Sequence, residues 1–198
     1  MRISKSCNCL SGLKMVILIG GSSHVGKTLV SQKLLELTGF PYICLDHLKM
    51  GFIRTKRTEL TVEDDYKMRY FLWPFAAEIV KTGIENNQNL IIEGCYIPGE
   101  WKESFTQEYL SKIYCTFITM SEDYLRQHFD LVKDKACAIE KRLPEVLDLE
   151  RLILCSKEFK EDCKKFNIPN LEISGDFPFD ADKMAQHIFH SAQKAILS

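Results

Sequence analysis

Short apolar segments alternate with longer amphipathic patterns along most of the chain. The first, over 15–19, is a continuous apolar run rich in β-branched residues, typical of a strand buried on both faces of a parallel sheet. Four further predicted strands are separated by helical patterns and cover 42–45, 90–92, 113–118 and 171–173. This alternation predicts an α/β fold with a doubly wound, parallel, five-stranded sheet and helices on both faces.

The predicted helices are bounded by capping and stop signals. Apolar residues keep helical spacing after Lys27, and Gly39 followed by Pro41 ends that helix. A second pattern over 64–86 is interrupted by Pro74, which favours two helices because proline lacks the N–H that an internal turn requires. The remaining predicted helices cover 121–133, with Ser121 as the cap, 144–166, with Pro144 in the first turn, and 180–197.

Composition indicates one globular domain. The chain has 198 residues, of which 45% are hydrophobic and 27% are charged, and this is enough apolar material for a sizeable core. Residues 1–14 show no periodicity and are expected to form a poorly ordered extension. The folded domain is therefore expected to occupy 15–198.

Charge and cysteine content narrow the classes of partner. The formal net charge is −1 with acids and bases interspersed, so nothing favours nucleic acid or an anionic membrane, and a small molecule is the expected partner. No apolar run reaches the roughly 18 to 20 residues that span a bilayer, and a cytoplasmic location is expected. The eight cysteines are expected to be reduced thiols, because no Cys/His cluster at zinc-ligand spacing completes the pair Cys7 and Cys9.

The segment between the first strand and the first helix has the pattern of a phosphate-binding P-loop. Its glycines let backbone N–H groups approach an anion closely, and the helix N-terminus adds partial positive charge. Lys27 is predicted to contact the β- and γ-phosphates of ATP, and Thr28 to offer its hydroxyl to Mg²⁺. The predicted nucleotide-binding residues are Gly21, Ser22, Ser23, His24, Val25, Gly26, Lys27 and Thr28.

Two acidic residues follow neighbouring predicted strands. Asp46 ends the second strand and Glu93 the third, and ligands of open parallel sheets bind at the carboxyl ends of the strands. Both strands are expected on the same side of the first, which would bring the two carboxylates together. Phosphoryl transfer needs one group to orient or deprotonate the acceptor and a carboxylate to help hold Mg²⁺. Capping of the following helix remains an alternative for Asp46.

Three blocks of sequence, in order, resemble the 2-phosphoglycerate kinase family. They are 20–28, Asp46-His47-Leu48, and 92–99 with its Glu93-Gly94 step, and the resemblance covers about 15–99. The first two blocks are also similar to chloramphenicol phosphotransferases and, more loosely, to zeta toxins and gluconate kinases. The resemblance implies transfer of the ATP γ-phosphate to the hydroxyl of a small molecule. It makes Asp46 the acceptor-activating residue and Glu93 a residue that assists the metal or the acceptor.

Basic residues supply candidates for the acceptor and for a lid. Cations after Asp46 would suit an anionic or phosphorylated acceptor, although a solvated basic surface explains them equally well; they are Lys49, Arg54, Lys56, Arg57 and Arg69. Kinases of this shape carry a lid after the fourth strand's helix, where Arg126 and Arg142 are predicted to neutralise charge on the γ-phosphoryl group, with Arg151 in reserve. By the same resemblance, the loop at Ser174 is predicted to lie along the adenine.

The leading hypothesis is an ATP- and Mg²⁺-dependent kinase of a small metabolite such as 2-phosphoglycerate. A nucleoside or nucleotide kinase is the first alternative, with aromatic residues between 66 and 75 against the base. A regulatory module that only senses a nucleotide is the second. The predicted catalytic residues are Lys27, Asp46, Glu93, Arg126 and Arg142, the predicted metal ligands are Thr28 and Glu93, and Arg126 and Ser174 join the P-loop as nucleotide contacts.

Overall fold

The computed structural model describes residues 14–135, 147–175 and 179–197. Five parallel strands form one sheet in the order β2-β3-β1-β4-β5, which confirms the predicted doubly wound α/β architecture. The strands are β1 (Val16–Gly21), β2 (Tyr42–Cys44), β3 (Leu90–Glu93), β4 (Ile113–Met120) and β5 (Asn170–Ile173). Because β2 and β3 lie on one side of β1 and β4 and β5 on the other, β1 is the switch point of the sheet.

Helices cover both faces of this sheet. They are α1 (Lys27–Thr38), α2 (Leu45–Arg54), α3 (Asp65–Glu85), α4 (Gln107–Leu110), α5 (Glu122–Lys135), α6 (Leu149–Phe166) and α7 (Ala181–Leu197), with a 3₁₀ turn at Trp101–Ser104. Side chains alternate along β1, so that Val16 and Leu18 pack under α3 while Ile17 and Ile19 pack under α1 and α7. The helix α6 contributes to both of these apolar cores.

Two helix predictions were wrong. A single helix, α3, runs through Pro74, although two helices were predicted. Residues on both sides of the proline, Trp73 and Ala76 among them, are buried in one core, and this burial outweighs a cost of about 3 kcal/mol for an internal proline. The helix predicted over 144–166 begins at Leu149, because Asp148 accepts a hydrogen bond from the backbone N–H of Arg151 and caps it; Pro144 lies outside the described residues.

Other boundaries agree with the sequence. Ser121 caps α5 by accepting a hydrogen bond from the backbone N–H of Tyr124 at 3.1 Å. Gly39 ends α1 in a left-handed conformation, with φ of 74°. No helix in the described part of the chain is long and apolar enough to cross a membrane.

Candidate active site

The P-loop lies between the carboxyl end of β1 and the N-terminus of α1. Gly21 has φ of 118°, and a Cβ there would lie 2.0 Å from the carbonyl oxygen of Ile118 in the adjacent β4. Gly26, at the N-terminus of α1, has φ of 81°, and a Cβ there would lie 2.9 Å from the ring of Phe179. Both positions require glycine, as predicted, since a side chain would meet backbone or ring atoms in a strained conformation.

Lys27 is the first residue of α1 and its side chain folds back over the loop. Its ammonium donates hydrogen bonds to the carbonyl oxygens of Ser22, at 2.7 Å, and Gly21, at 3.3 Å. Only 7% of the residue is exposed. A buried ammonium beside a helix N-terminus concentrates positive charge where the loop curls, and this is the electrostatic environment that a phosphate group requires.

Thr28 and Glu93 are in direct contact. The Thr28 hydroxyl donates a hydrogen bond of 2.9 Å to Oε1 of Glu93, which ends β3 and is 1% exposed. Burial raises the pKa of the Glu93 carboxyl above its ordinary value, and the nearby Lys27 ammonium opposes part of that rise. Gly94 follows with φ of 155°, where a Cβ would lie 2.8 Å from the Leu45 side chain. The turn after Glu93 therefore keeps its carboxylate aimed at the P-loop.

Asp46 lies in the first turn of α2, beside the end of β3. Cys44 is the N-cap of this helix, so Asp46 is not the cap that was the alternative at this position. The register of β2 and β3 places Cys44 opposite Glu93, two residues before Asp46. The Cys44 thiol lies 4.0 Å from Oδ2 of Asp46 and also contacts the Glu93 carboxyl. The expectation that β2 and β3 lie on the same side of β1 is confirmed, and Cys44 contacts both carboxyl groups.

A buried cluster that the sequence did not predict adjoins Asp46. The Tyr96 hydroxyl lies 3.3 Å from Oδ1 of Asp46 and 3.1 Å from Oδ1 of Asp65, at the start of α3. The Lys49 ammonium donates to the Tyr96 hydroxyl and to Asp65 Oδ1, each at 2.8 Å. Lys49 is 7% exposed and Tyr96 is 1% exposed. In the sequence, nothing distinguished Lys49 from the exposed cations that follow it.

Arg69 lies one turn after Asp65 on α3. Its guanidinium stacks 4.6 Å above the Phe159 ring of α6, and Nη1 is 3.7 Å from Oδ2 of Asp162. The side chain is only 15% exposed, and its Nε is buried without a hydrogen-bond partner among the described residues. Burial raises the pKa of the Asp162 carboxyl despite this guanidinium. The guanidinium therefore has one donor, Nε, whose hydrogen bond no described residue accepts.

The other predicted cations fall into different environments. Three cations after Asp46 are exposed, as a solvated surface would be: Arg54, Lys56 and Arg57. Arg126 is half-exposed on α5 and is paired with two carboxylates, Glu122 at 2.8 Å and Glu150 at 2.7 Å. Arg142 lies outside the described residues. The exposed Arg151 approaches Oδ2 of Asp65 to 3.7 Å, which brings this reserve candidate to the rim of the Lys49 cluster.

Contacts from α6 support the P-loop. The hydroxyls of Ser156 and Ser22 lie 2.9 Å apart, and Ser156 also accepts a hydrogen bond from the backbone N–H of Met120 at 3.3 Å. The Cys155 thiol accepts a hydrogen bond from the backbone N–H of Ser23.

Ser174 is exposed after β5, and Phe179 beyond it reaches the P-loop at Gly26.

The residues present fit a nucleotide phosphate with Mg²⁺. A threonine hydroxyl and a carboxylate are hard oxygen donors, and Mg²⁺ usually takes only one or two protein ligands beside phosphates and water. Such a site needs no larger set of protein ligands. Among residues 14–135, 147–175 and 179–197, no group of three or more His, Cys, Asp or Glu could hold a metal ion.

Solved kinase structures share this fold. Shikimate kinase from Acinetobacter baumannii aligns with 94% of this chain and 97% of its own at 15% identity, with a TM-score of 0.55. Shikimate kinase from Bacteroides thetaiotaomicron aligns with 90% and 98% at 14% identity (TM-score 0.51), and a putative kinase from Chloroflexus aurantiacus with 89% and 97% at 19% identity (TM-score 0.50). No protein-family model and no curated protein matches the sequence. The chain therefore has the fold of P-loop small-molecule kinases.

Proposed function

We propose that the protein is an ATP- and Mg²⁺-dependent kinase that transfers the γ-phosphate to a hydroxyl of a small anionic metabolite. The observation that carries this proposal is the pair of carboxylates beside the P-loop. Glu93 contacts Thr28. Asp46 follows Cys44 by two residues, and Cys44 pairs with Glu93 in the sheet. One acid thus contacts the proposed metal-binding hydroxyl, and the other lies at the same edge of the sheet without contacting that hydroxyl, which allows the division of roles that phosphoryl transfer requires.

The reaction assigns a separate part to each group. Asp46 accepts the proton of the acceptor hydroxyl, whose oxygen forms a bond to the γ-phosphorus. The bond between that phosphorus and the oxygen bridging to the β-phosphate breaks, and ADP leaves with the electron pair. Thr28 and Glu93 would hold Mg²⁺, which would neutralise charge on the phosphates, and Lys27 adds a fixed positive charge. Positioning and charge neutralisation supply most of the catalysis in such a reaction.

The proposed nucleotide contacts extend beyond the P-loop. Arg126 and Arg142 are proposed to neutralise charge developing on the γ-phosphoryl group, and Ser174 to lie beside the adenine. Arg126 can act in this way only after Glu122 and Glu150 release it, because both carboxylates bind its guanidinium. Exposed ion pairs of this kind contribute little to stability because solvent screens them, so release is inexpensive.

Arg69 supports an anionic acceptor. It is a mostly buried guanidinium, one turn from the Asp65 carboxylate that adjoins Tyr96, and its Nε has no hydrogen-bond partner among the described residues. Planar guanidinium donors match carboxylate and phosphate oxygens in pairs, and burial strengthens such contacts. The resemblance to the 2-phosphoglycerate kinase family makes 2-phosphoglycerate, which carries both groups, the first acceptor to test.

A nucleoside or nucleotide acceptor is the second candidate. It is favoured by Tyr66 and Tyr70, whose rings lie 5.3 Å apart and are 70% and 47% exposed on the helix that carries Arg69. Exposed aromatic rings can stack on a base. Trp73, by contrast, is 6% exposed and belongs to the core, as do most aromatic residues at helical spacing. An assay that offers nucleosides and anionic metabolites in separate pools separates this candidate from the first.

ATP consumption with pooled metabolites, followed by mass spectrometry of the product, tests the proposal. Sugar acids, phosphoglycerates and nucleosides form separate pools, and we expect Mg²⁺-dependent product from an anionic pool. Asp46→Asn should retain ATP affinity and lose most transfer, whereas Asp130→Asn, which alters an exposed aspartate on α5, should not change turnover. ATP binding without product from any pool would instead support the nucleotide-sensing module, and full activity of Asp46→Asn would remove Asp46 from its role.

A further inference from the structure

The Lys49 cluster constrains the direction of every hydrogen bond within it. An ammonium group has three N–H donors and no acceptor. The three partners of Lys49 are the carbonyl oxygen of Val62 at 3.2 Å, Oδ1 of Asp65 at 2.8 Å and the Tyr96 hydroxyl at 2.8 Å. The Tyr96 oxygen must therefore accept from Lys49. Its single hydrogen is left for a carboxylate.

Two carboxylates compete for that hydrogen, and they differ in their other donors. Asp65 Oδ1 already accepts from Lys49, the Asp65 side chain is 48% exposed, and Arg151 lies 3.7 Å away. In the described part of the chain, Asp46 is approached by only two donors, the Tyr96 hydroxyl at 3.3 Å and the weaker Cys44 thiol at 4.0 Å. Without the Tyr96 hydroxyl, Asp46 would therefore lose a larger share of its hydrogen-bond donors than Asp65 would.

Burial keeps Tyr96 a donor. The residue is 1% exposed, and burial together with the nearby Cys95, Asp46 and Asp65 raises the pKa of its hydroxyl. A neutral hydroxyl lies within hydrogen-bond distance of Oδ1 of Asp46, at 3.3 Å, whereas among the described residues the donor beside Oδ2 is the more distant thiol of Cys44. One carboxylate oxygen is thus held, and the other is left for the acceptor hydroxyl.

We propose that Lys49 and Tyr96 are positioning residues for Asp46, with Lys49 fixing the direction of the Tyr96 hydroxyl and Tyr96 holding the Asp46 carboxylate in its reactive orientation. This inference rests on the proposed function, in which Asp46 is the proton acceptor. Neither residue touches the reacting atoms; both act through Asp46. Their loss should therefore reduce the rate of the chemical step and leave the binding of ATP and acceptor intact.

Four variants test this in the full chain: Tyr96→Phe, Lys49→Met, the two combined, and Tyr114→Phe. Tyr114 is a second buried tyrosine, 8% exposed, in the core on the opposite face of the sheet. We expect Tyr96→Phe and Lys49→Met each to lower kcat about 10- to 100-fold with KM for both substrates changed less than about twofold. The combined variant should be no slower than the slower single variant, because both changes break the same chain of hydrogen bonds from Lys49 through Tyr96 to Asp46. Tyr114→Phe should retain kcat.

Three results would overturn the inference: losses that multiply in the combined variant, a rise in KM in place of a fall in kcat, or equal effects of Tyr96→Phe and Tyr114→Phe. Crystal structures of the wild type and Tyr96→Phe give a readout that does not depend on activity. The Asp46 carboxylate should change its rotamer in Tyr96→Phe, and an unchanged carboxylate contradicts the inference. A wild-type protein that transfers phosphate to no acceptor contradicts the proposed function instead, and the two failures are thereby distinguished.

Discussion

The Thr28 hydroxyl donates a hydrogen bond to Oε1 of Glu93 across 2.9 Å, joining the first turn of α1 to the end of β3. These residues are 65 positions apart in the sequence, and the parallel pairing of β1 with β3 brings them together. The contact links the phosphate-binding loop to the carboxyl edge of the sheet. It also places a hydroxyl and a carboxylate, both hard oxygen donors, side by side at the proposed Mg²⁺ site.

Thr28→Val should separate metal binding from nucleotide binding. Valine has the shape of threonine without the hydroxyl, so Lys27 and the loop amides remain while one proposed Mg²⁺ ligand is lost. We expect kcat to fall about 10- to 100-fold and the Mg²⁺ concentration for half-maximal rate to rise, with ATP affinity changed little. Rates measured across a Mg²⁺ series, together with calorimetry of ATP binding, check this prediction.

The matched control is Thr38→Val, at the other end of the same helix. The Thr38 hydroxyl bonds to the Leu34 carbonyl at 2.6 Å and lies far from the loop in sequence and along the helix axis. This variant should lose some stability and retain its Mg²⁺ dependence. If Thr28→Val had the Mg²⁺ dependence of the wild type, the metal role of Thr28 would be excluded.

Arg69→Gln should weaken acceptor binding specifically. It removes a mostly buried cation whose Nε has no partner in the described part of the chain. A charge-assisted contact to an anionic acceptor is worth about 1.5 to 3 kcal/mol, so KM for the acceptor should rise roughly 10- to 100-fold while KM for ATP stays the same. Arg57→Gln, which changes an exposed arginine after α2, is the control and should alter neither constant. Equal effects of both variants would indicate a general charge effect and not a site at Arg69.

The sheet and the P-loop were predictable because each depends on a local pattern. Continuous apolar runs indicate buried parallel strands, and glycines at the ends of the loop occupy positions where a Cβ would strain the backbone or meet the ring of Phe179. The position of Asp46 and Glu93 on the same side of β1 was predictable from the expected strand order. The role of α6 was not, since its contact through Ser156 and Ser22 joins residues 134 positions apart.

Long-range burial also explains the errors. Pro74 has the same local preference in any helix, and only the core formed by Trp73 and Ala76 shows why α3 continues through it. Lys49 and Arg69 looked in the sequence like the exposed cations Arg54 and Arg57. They differ because Tyr96 and Phe159 cover them, and both aromatic residues are distant in sequence. Burial of a cation is a tertiary property that no local pattern records.

Arg126→Gln tests the proposed lid. The variant removes the guanidinium and its exposed ion pairs with Glu122 and Glu150, which should cost little stability. If Arg126 neutralises the γ-phosphoryl group, kcat should fall about 10- to 100-fold. Glu150→Gln is the matched control, because it breaks one ion pair and leaves Arg126 in place, so kcat should be retained. Steady-state kinetics of the two variants test this role. Equal losses of kcat in both variants would indicate that Arg126 acts only through its ion pairs.

Asp162 should destabilise the fold progressively as the pH rises. Burial raises the pKa of its carboxyl above the ordinary value of 3.8. Between the pKa of the unfolded chain and that of the folded protein, the folded protein therefore binds more protons than the unfolded chain does. Stability from this group is complete below the unfolded pKa and is lost as the pH rises through the folded pKa. The free energy of unfolding of the wild type, minus that of Asp162→Asn, should therefore decrease from about pH 3.5 toward neutrality.

Asp64→Asn provides a control of opposite sign for this pH dependence. Hydrogen bonds from the backbone N–H and the hydroxyl of Thr61 lower the pKa of the Asp64 carboxyl. The contribution of Asp64 to stability is present above the pKa of the unfolded chain and is lost as the pH falls through the pKa of the folded protein. The free energy of unfolding of the wild type, minus that of Asp64→Asn, should therefore increase with pH. Urea denaturation across a pH series measures both differences. Parallel slopes for Asp162 and Asp64 would contradict the assignment of burial as the dominant influence on Asp162, since burial and hydrogen bonding act on a carboxylate in opposite directions.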